Sequence, residues 1–469
     1  MYFLRESKKG GKKPQKEKFE DVTSYSRPDN VKGSTSHFFR YKFKPFFMKN
    51  KKRNLKAIMS IFICLILAGT AYLGVYLQRM LLLIDYDPGN IGNPDATFAE
   101  VEEDVSYQSM HDITDASSLR DLLRSWALNG GEKLQSKNIV NVLLLGCDNE
   151  DGSSRSDSMI LVSVNKKTQT ISLVSFLRDS YTYMNIDGSE RYDKTNHSYV
   201  WGGPAVVIET LENNYKIEID HYVSIDYASF IAVINELGGV RVTVSESEAR
   251  YMNRTTRFDD FESGDNVLLD GDHALIFSRI RYLDSEVERT RRQREVITAI
   301  IKSTMGANMA TLDDALTTFL PYVKTNFRNS EIISLGTQAI SQQWMNYKIV
   351  NIVQPSEDFR REAYTQTWSS DHLFVWVIDY PMAARELQNT LYGTSNIQID
   401  EATHNSAFNL LSDEYTPAYS EDSEDYGDYE DEDETTTRWF NRYIPTISRD
   451  EETAPPEDEV APPEDENFY

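Results

Sequence analysis

The sequence predicts an α/β protein, an α-β-α sandwich around a central mixed sheet, preceded by one transmembrane helix. Three observations carry that prediction. Apolar runs of strand length alternate with amphipathic helical stretches between residues 138 and 393. The first of these runs, Ile139 to Leu145, is apolar apart from Asn141, as in a strand covered on both faces. Ala57 to Leu77 holds no charged residue and is long enough to span a bilayer as a helix.

Taken in order, residues 1–56 are basic, with Lys and Arg exceeding Asp and Glu by 12, and lack periodicity. They are expected to form a disordered cytoplasmic arm, either touching anionic lipid headgroups or simply solvated. Residues 57–77 are the anchor. Positive charge between Lys49 and Lys56 precedes it and only Arg79 follows closely, which places the amino terminus inside and the rest outside the cell. A cleaved signal peptide is the competing reading, but the apolar run exceeds a usual signal core, and Ile63 before Cys64 does not suit a lipoprotein signal. Residues 78–137 are expected to be an extracytoplasmic spacer, with a helix from Ser117 to Leu128 carrying Leu119, Leu122, Leu123 and Trp126 on one stripe.

The main domain is expected over 138–393. Ile160 to Val164 and Ile171 to Phe176 read as strands joined by a turn beginning at Asn165. Pro204 to Leu211 opens a helix with Pro in its first turn. Asp226 to Leu237 is a helix stopped by Gly238 and Gly239 before the strand Val240 to Val244. Helices follow near Leu312 to Phe319 and Ser330 to Ser341, then a strand from Tyr347 to Val353 and a helix from Asp379 to Leu391. Residues 394–469 are an acidic, low-complexity tail containing a doubled Ala-Pro-Pro-Glu-Asp-Glu, expected to be disordered. It either orders cations or acts as a solvated spacer.

The formal net charge is −25, and the part between arm and tail is itself acidic, which argues against a nucleic-acid partner. The two cysteines, Cys64 and Cys147, offer no disulfide framework. Against this negative background, five arginines crowd between Arg279 and Arg292. Arg279 and Arg281 stand two apart, and Ser285 with Glu288 reads as a capping box opening a helix. On that helix Arg289, Arg292 and Gln293 share a stripe with Val296, Ile297 and Ile300. Cations at a helix start oppose its dipole and one another, so a bound polyanion is the favoured explanation over a solvated basic helix start.

Strand ends supply further candidates. Asp148 follows the first strand and Arg155 and Asp157 open the second, while Arg178 and Asp179 close the third. Asp148 and Asp157 are a pair suited to a hard cation such as Mg²⁺; the alternative is that both cap turns. Arginine suits a diphosphate because it binds phosphate bidentately and keeps its charge. The sequence contains no Gly-rich Lys-Ser/Thr phosphate loop, no His-Glu-x-x-His and no Gly-x-Ser-x-Gly. His197 and His273 are read as structural.

The ordered blocks NVLLLGCD, RSDSMILVSV, SFLRD, YDKTNHSY with a following GGP, INELGGV, LDGDHALIFSRIRY and RTRRQR resemble the LytR–CpsA–Psr family over about residues 138–393. The resemblance implies an α/β sandwich with a hydrophobic groove for a polyprenyl chain. It also implies transfer of a glycopolymer (teichoic acid, capsule or another wall polysaccharide) from a polyprenyl-diphosphate carrier to peptidoglycan, through a phosphodiester. By the same resemblance, Asp148 and Asp157 correspond to carboxylates associated with Mg²⁺, with Mn²⁺ as a substitute. Arg155, Arg178, Arg279, Arg281, Arg289 and Gln293 correspond to the diphosphate-binding set. Where the family has Asp-Phe-Gly-Arg, this chain has Glu286 to Arg289, so Glu286 replaces an aspartate and carries one methylene more.

The reaction expected is attack on the sugar-proximal phosphorus, with Arg279 and Arg281 stabilising the transferring phosphate and Glu286 or Asp179 as base. Hydrolysis of the polyprenyl diphosphate would use the same residues. A non-enzymatic lipid-binding or wall-anchoring module would tolerate changes at Asp148 and Asp157. The expected setting is the membrane of a Gram-positive bacterium, with membrane lipid, lipid-linked glycan and peptidoglycan as partners.

Overall fold

The computed structural model of the protein describes residues 51–89, 110–147, 155–256, 260–281, 283–306, 309–365, 373–400 and 402–416. By internal contacts the chain divides into Met1–Ala71 and Tyr72–Tyr469. Helix α1 (Lys51–Leu81) begins in the first unit and ends in the second. Its segment Phe62–Leu81 is long and apolar enough to cross a membrane, and Phe62, Leu67 and Tyr72 are exposed.

Strands β1 (Asp85–Tyr86) and β2 (Met110–Ile113) precede α2 (Ala116–Asn129). Asp115 caps α2 by accepting from the amides of Ser117 and Ser118, and Leu119, Leu123 and Ala127 are its buried stripe. Next come β3 (Ile139–Cys147), β4 (Ser156–Asn165) and β5 (Thr170–Phe176). The Asn165 side chain closes the β4–β5 turn by accepting from the amides of Lys167 and Thr168, both at 3.0 Å. β6 (Tyr181–Ile186) and β7 (Ser189–Lys194) form a hairpin, followed by α3 (Ser198–Tyr215). Gly203, with φ 61°, kinks α3 just before Pro204. β8 (His221–Asp226) runs directly into α4 (Tyr227–Glu236), whose cap is the Asp226 carboxylate. The chain continues through β9 (Val240–Val244), α5 (Glu246–Thr255), β10 (Gly264–Leu269), α6 (Gly271–Ser278) and α7 (Glu286–Gly306). Then follow α8 (Met309–Phe319), β11 (Lys324–Thr325), α9 (Asn329–Ser341), β12 (Lys348–Gln354), β13 (Arg360–Thr365), β14 (Leu373–Ile378), α10 (Tyr380–Tyr392) and β15 (Leu411–Thr416).

Among the described residues, seven strands form the central sheet in the order β1-β11-β8-β3-β4-β5-β12. The pairs β1/β11, β8/β3 and β5/β12 are parallel and the others antiparallel, so the sheet is mixed as expected. Odd-numbered residues of β3 (Leu143, Leu145, Cys147) enter a core shared with α2, α3 and α10. On the other face Ile160, Val164 and Leu173 pack with the partly buried Leu144, Val162 and Ile297, the last of these from α7. A separate apolar cluster joins α4, α5, α6, α7 and the β9–β10 pair. Helices thus lie on both faces of the sheet.

Two expected boundaries change. The stretch 78–137, read as a spacer, is built into the fold: β1 pairs with β11, β2 pairs with β13, and α2 lies in the main core. The tail read as beginning at 394 enters the fold as far as Thr416, because β15 pairs with β2 in a four-stranded sheet β14-β13-β2-β15 that the sequence reading did not contain. Both cases have one cause. A short strand is stabilised by a partner far away in sequence, and its own composition does not reveal that partner. Residues 1–50 and 417–469 lie outside the described residues.

Candidate active site

Register gathers the strand ends. Cys147, the last residue of β3, pairs with Ser156 at the start of β4 and with Asp226 at the end of β8, while Phe176 of β5 pairs with Gln354 of β12. The carboxyl ends of β3, β5, β8 and β12 and the amino end of β4 therefore share one sheet edge. The start of α7 and the end of α6 come to the same place.

Asp157 is the focus. Its Oδ1 accepts from Arg178 Nη1 at 2.9 Å, and its Oδ2 lies 3.5 Å from the Tyr227 hydroxyl and 4.0 Å from Arg279 Nη1. Its backbone carbonyl accepts from Arg289 Nη2 at 3.5 Å. Burial alone would raise the Asp157 pKa, but the charges of Arg178, Arg281, Arg279 and Arg289 prevail and hold it well below the usual carboxylate range. Arg279 lies over the Tyr227 ring, 4.5 Å from its centroid, and donates to the Tyr227 hydroxyl. Arg281 is half-buried two residues on, and Arg155 stands half-buried immediately before β4. Gln293, one turn beyond Arg289, accepts from the Ser158 hydroxyl at 3.2 Å.

The two candidate bases differ. Asp179 is buried, with Lys194 Nζ 3.2 Å from Oδ1 and Arg178 Nε 3.4 Å from Oδ2. Burial pushes its pKa up, but Lys194, Arg178 and Arg289 pull it well below the usual range. With both oxygens held by cations, Asp179 is a weak proton acceptor and a strong anchor for Arg178. Glu286 pairs with Arg289 and lies 3.9 Å from Arg178 Nε through the same Oε1. Arg289 is almost sealed from solvent; burial and the charges of Arg178 and Arg281 lower its pKa despite Glu286 and Asp157.

Of the five arginines crowded in sequence, two belong to the scaffold. Arg292 has no exposed surface and donates twice to Asp284 at 2.7 Å, to Glu248 at 3.1 Å and to the Ile280 carbonyl at 3.0 Å. Arg291 is bound by Glu248, Glu288 and Glu295 at 2.6–2.9 Å. A helical stripe assigns Arg292 to the same side as Arg289 but cannot show that α5 delivers Glu248 against it. Arg279, Arg281 and Arg289 remain at the site. Tyr227, Lys194 and Ser158 join the site in addition to the residues expected from sequence; Lys194 lies in the YDKTNHSY block and Tyr227 directly follows a strand end, so position hinted at both.

The two histidines read as structural both sit in pairs. His197 Nδ1 lies 2.8 Å from Asp193, both fully buried, and His273 lies between Asp270 and Asp260 at 2.6 and 3.1 Å.

An apolar floor runs from the charged end. Val142 and Leu144 of β3, Val162 of β4, and Val223 and Ile225 of β8 are only half-buried, although they belong to interior strands. Register puts them on one face: Val142 pairs with Val162, Leu144 with Val223, and Gly146 with Ile225. Gly146 also pairs with Ser158, so this face ends beside Gln293. A cationic end joined to a half-covered apolar face matches an amphiphile with an anionic head.

As for a metal, Asp148 lies outside the described residues, and among these no group of three His, Cys, Asp or Glu side chains is arranged to hold an ion. Asp157 nevertheless fits a hard cation. It is ionised, and its Oδ2 has only distant partners, leaving an oxygen for a site completed by substrate oxygens.

The LytR_cpsA_psr family model matches residues 101–374, which contain every one of these site residues. The chain belongs to the LytR_cpsA_psr family. It is 36% identical over 202 residues to the polyisoprenyl-teichoic acid–peptidoglycan teichoic acid transferase TagU of Enterococcus faecalis, a match covering 41% of this chain and 63% of that relative. It is 34% identical over 236 residues to TagU of Bacillus cereus, covering 49% and 70%. The chain thus spans a little under two thirds of the Enterococcus relative. Among solved structures, TagT bound to LIIa-WTA is 24% identical, covers 63% of this chain and 98% of its own, and has a TM-score of 0.45. Within this LytR_cpsA_psr chain, Glu286 opens α7 with its carboxylate on Arg289, so the longer side chain still reaches the cluster.

Proposed function

We propose that this protein is a membrane-anchored phosphotransferase that moves an anionic glycopolymer from a polyprenyl-diphosphate carrier to peptidoglycan, leaving a phosphodiester link. The observation that carries the reading is the convergence of Arg178, Arg279, Arg281 and Arg289 on ionised Asp157, at the end of an apolar sheet face. The diphosphate occupies the guanidinium cluster and the polyprenyl chain lies along Val142, Leu144, Val162 and Val223. Family membership and the TagU relatives support the transfer reaction. In this reading the α1 anchor leaves the amino terminus in the cytoplasm and the domain outside a Gram-positive cell. The folded part works on lipid-linked substrate and wall polymer, with no nucleic acid involved.

Arg279 and Arg281 stabilise charge on the transferring phosphate, while Arg155, Arg178, Arg289 and Gln293 hold the remaining oxygens. Asp179 and Lys194 fix Arg178. Glu286, whose cation contacts both use Oε1, takes the proton of the acceptor hydroxyl as its oxygen bonds to the sugar-proximal phosphorus and the bond to the bridging oxygen breaks, releasing polyprenyl phosphate; both oxygens of Asp179 are held by cations. Asp148 and Asp157 would hold Mg²⁺, or Mn²⁺ in its place, which neutralises diphosphate charge when bound.

The test is to incubate the full chain in detergent with Mg²⁺, a short polyprenyl-diphosphate glycan and peptidoglycan oligomers, and to read products by mass spectrometry. A glycan–phosphate–peptidoglycan adduct that disappears with chelator and returns with Mg²⁺ or Mn²⁺ is expected. Glycan phosphate released without adduct would replace transfer by hydrolysis, and intact donor would favour a binding module.

A further inference from the structure

The site described above does not use the face where α1 meets the domain. The apolar run that opens with Ala57 does not stop at Leu77: apart from Gln78 and Arg79 it continues to Ile84. About 20 residues suffice to cross a bilayer, so Met80 to Ile84 exceed what spanning requires. There is also no slack after them. Four residues after α1 ends, β1 pairs with β11, with the Asp85 amide donating to the Val323 carbonyl and the Asp87 amide to the Thr325 carbonyl at 3.3 and 2.9 Å. The last turns of α1 pack along α8: the Tyr76 hydroxyl donates to Asp313 at 2.6 Å, and Thr317 Oγ1 lies 3.9 Å from the sulfur of buried Met80.

Around this junction large apolar side chains are left in the open. Leu82 is 74% exposed, Tyr86 and Tyr322 each 55%, and Leu316 of α8 40%. Leu316 lies three residues from Asp313, beside the α1 contact, and Tyr322 lies just before β11. Solvent-facing apolar groups gathered where a chain leaves a membrane have an obvious cover, and tyrosine is favoured at the headgroup level.

We propose that the face made by residues 82–86, α8 and the Leu320–Tyr322 turn rests on the outer surface of the bilayer, so that the domain is seated on the membrane rather than tethered above it. The proposal relies on the reading of α1 as an uncleaved anchor with the domain outside. A cavity of about 140 Å³ on this edge runs from Tyr322 and Lys324 to Ile225 and Asp226. Asp226 directly precedes Tyr227, which touches Arg279 and Asp157. Seating this edge on the bilayer brings the apolar end of β8 to membrane level, which is where a lipid-linked donor must enter.

The test uses the full chain in proteoliposomes with Cys64→Ser, since Cys147 is buried. Single cysteines replace Leu316, Tyr322, Leu128 or Leu268, all exposed, and carry an environment-sensitive fluorophore. Quenching by a shallow nitroxide lipid is compared with quenching by aqueous iodide. Labels at 316 and 322 are expected to respond several-fold more to the nitroxide lipid than labels at 128 and 268. Equal responses at all four positions, dominated by iodide, would overturn the seating, whatever becomes of the transferase reading, because the measurement involves no turnover.

Discussion

Replacing Arg292 and Arg279 separately tests the division of the arginine cluster into scaffold and site. Arg292→Met keeps the side-chain volume and removes four hydrogen bonds, two to Asp284, one to Glu248 and one to the Ile280 carbonyl. Glu248 is 3% exposed and would keep Arg291 and the Ser245 amide, whereas Asp284 would lose its bidentate partner. Breaking a buried ion pair from one side costs about 3–5 kcal/mol, and the remaining partners of Glu248 argue for about 3. In a domain of this size that lowers the unfolding midpoint by roughly 6–12 °C. Arg279→Ala removes a side chain stacked on Tyr227 and 4.0 Å from Asp157, at a cost of about 1 kcal/mol of stability. Its larger effect falls on the transition state: about 3 kcal/mol, or roughly a hundredfold in transfer rate. The assay is thermal unfolding by tryptophan fluorescence beside adduct formation by mass spectrometry, the latter below both midpoints. If Arg292→Met leaves the midpoint unchanged while abolishing transfer, or if Arg279→Ala destabilises as much as Arg292→Met, the assignment is wrong.

Three further outcomes follow from the geometry. Asp157→Asn should abolish transfer and flatten the acid limb of the stability curve. The folded pKa of Asp157 is depressed, so the wild type has this contribution above the unfolded value of 3.8 and loses it as pH falls through the folded pKa; acid titration by circular dichroism of both proteins reads the difference. Gln293→Ala should raise KM for the donor about tenfold with little change in stability, since the Gln293 oxygen holds one neutral hydrogen bond at the end of the apolar face; donor-saturation kinetics check this. His273 is buried enough for its pKa to fall, but Asp270 and Asp260 outweigh burial and raise it above 6.5. Its contribution is complete below 6.5 and is lost as pH rises through the folded pKa, and Asp260→Asn should move the proton-NMR titration of His273 down toward 6.5.

Much of the architecture was written locally. Ile139 to Leu145 is apolar at every position but Asn141 and became the middle of the sheet; Val240 to Val244, preceded by two glycines, became a strand with those ends. Asp157, Arg178 and Arg289 each stand near one end of a run with a clear period, and the fold brings the three together. The strands β2, β13, β14 and β15 were not: Leu373 to Ile378 is as apolar as β3 and pairs with the nearby β13, but β13 takes its other partner from residues 110–113, which pair in turn with 411–416.

By itself, then, the sequence determined the elements with a strong period, the long apolar helix near the amino terminus, and the collection of guanidinium and carboxylate groups. Periodicity is a property of consecutive residues, and so is charge density. The tertiary structure decided which charges are available. Arg289 and Arg292 stand three apart on one helix, yet one faces Asp157 and the other is enclosed by Glu248 and Asp284. It also placed Asp179 between Lys194 and Arg178, so that both of its carboxylate oxygens face cations. Such distinctions depend on electrostatic energies over a few ångströms between residues tens of positions apart, and only the folded chain sets those distances.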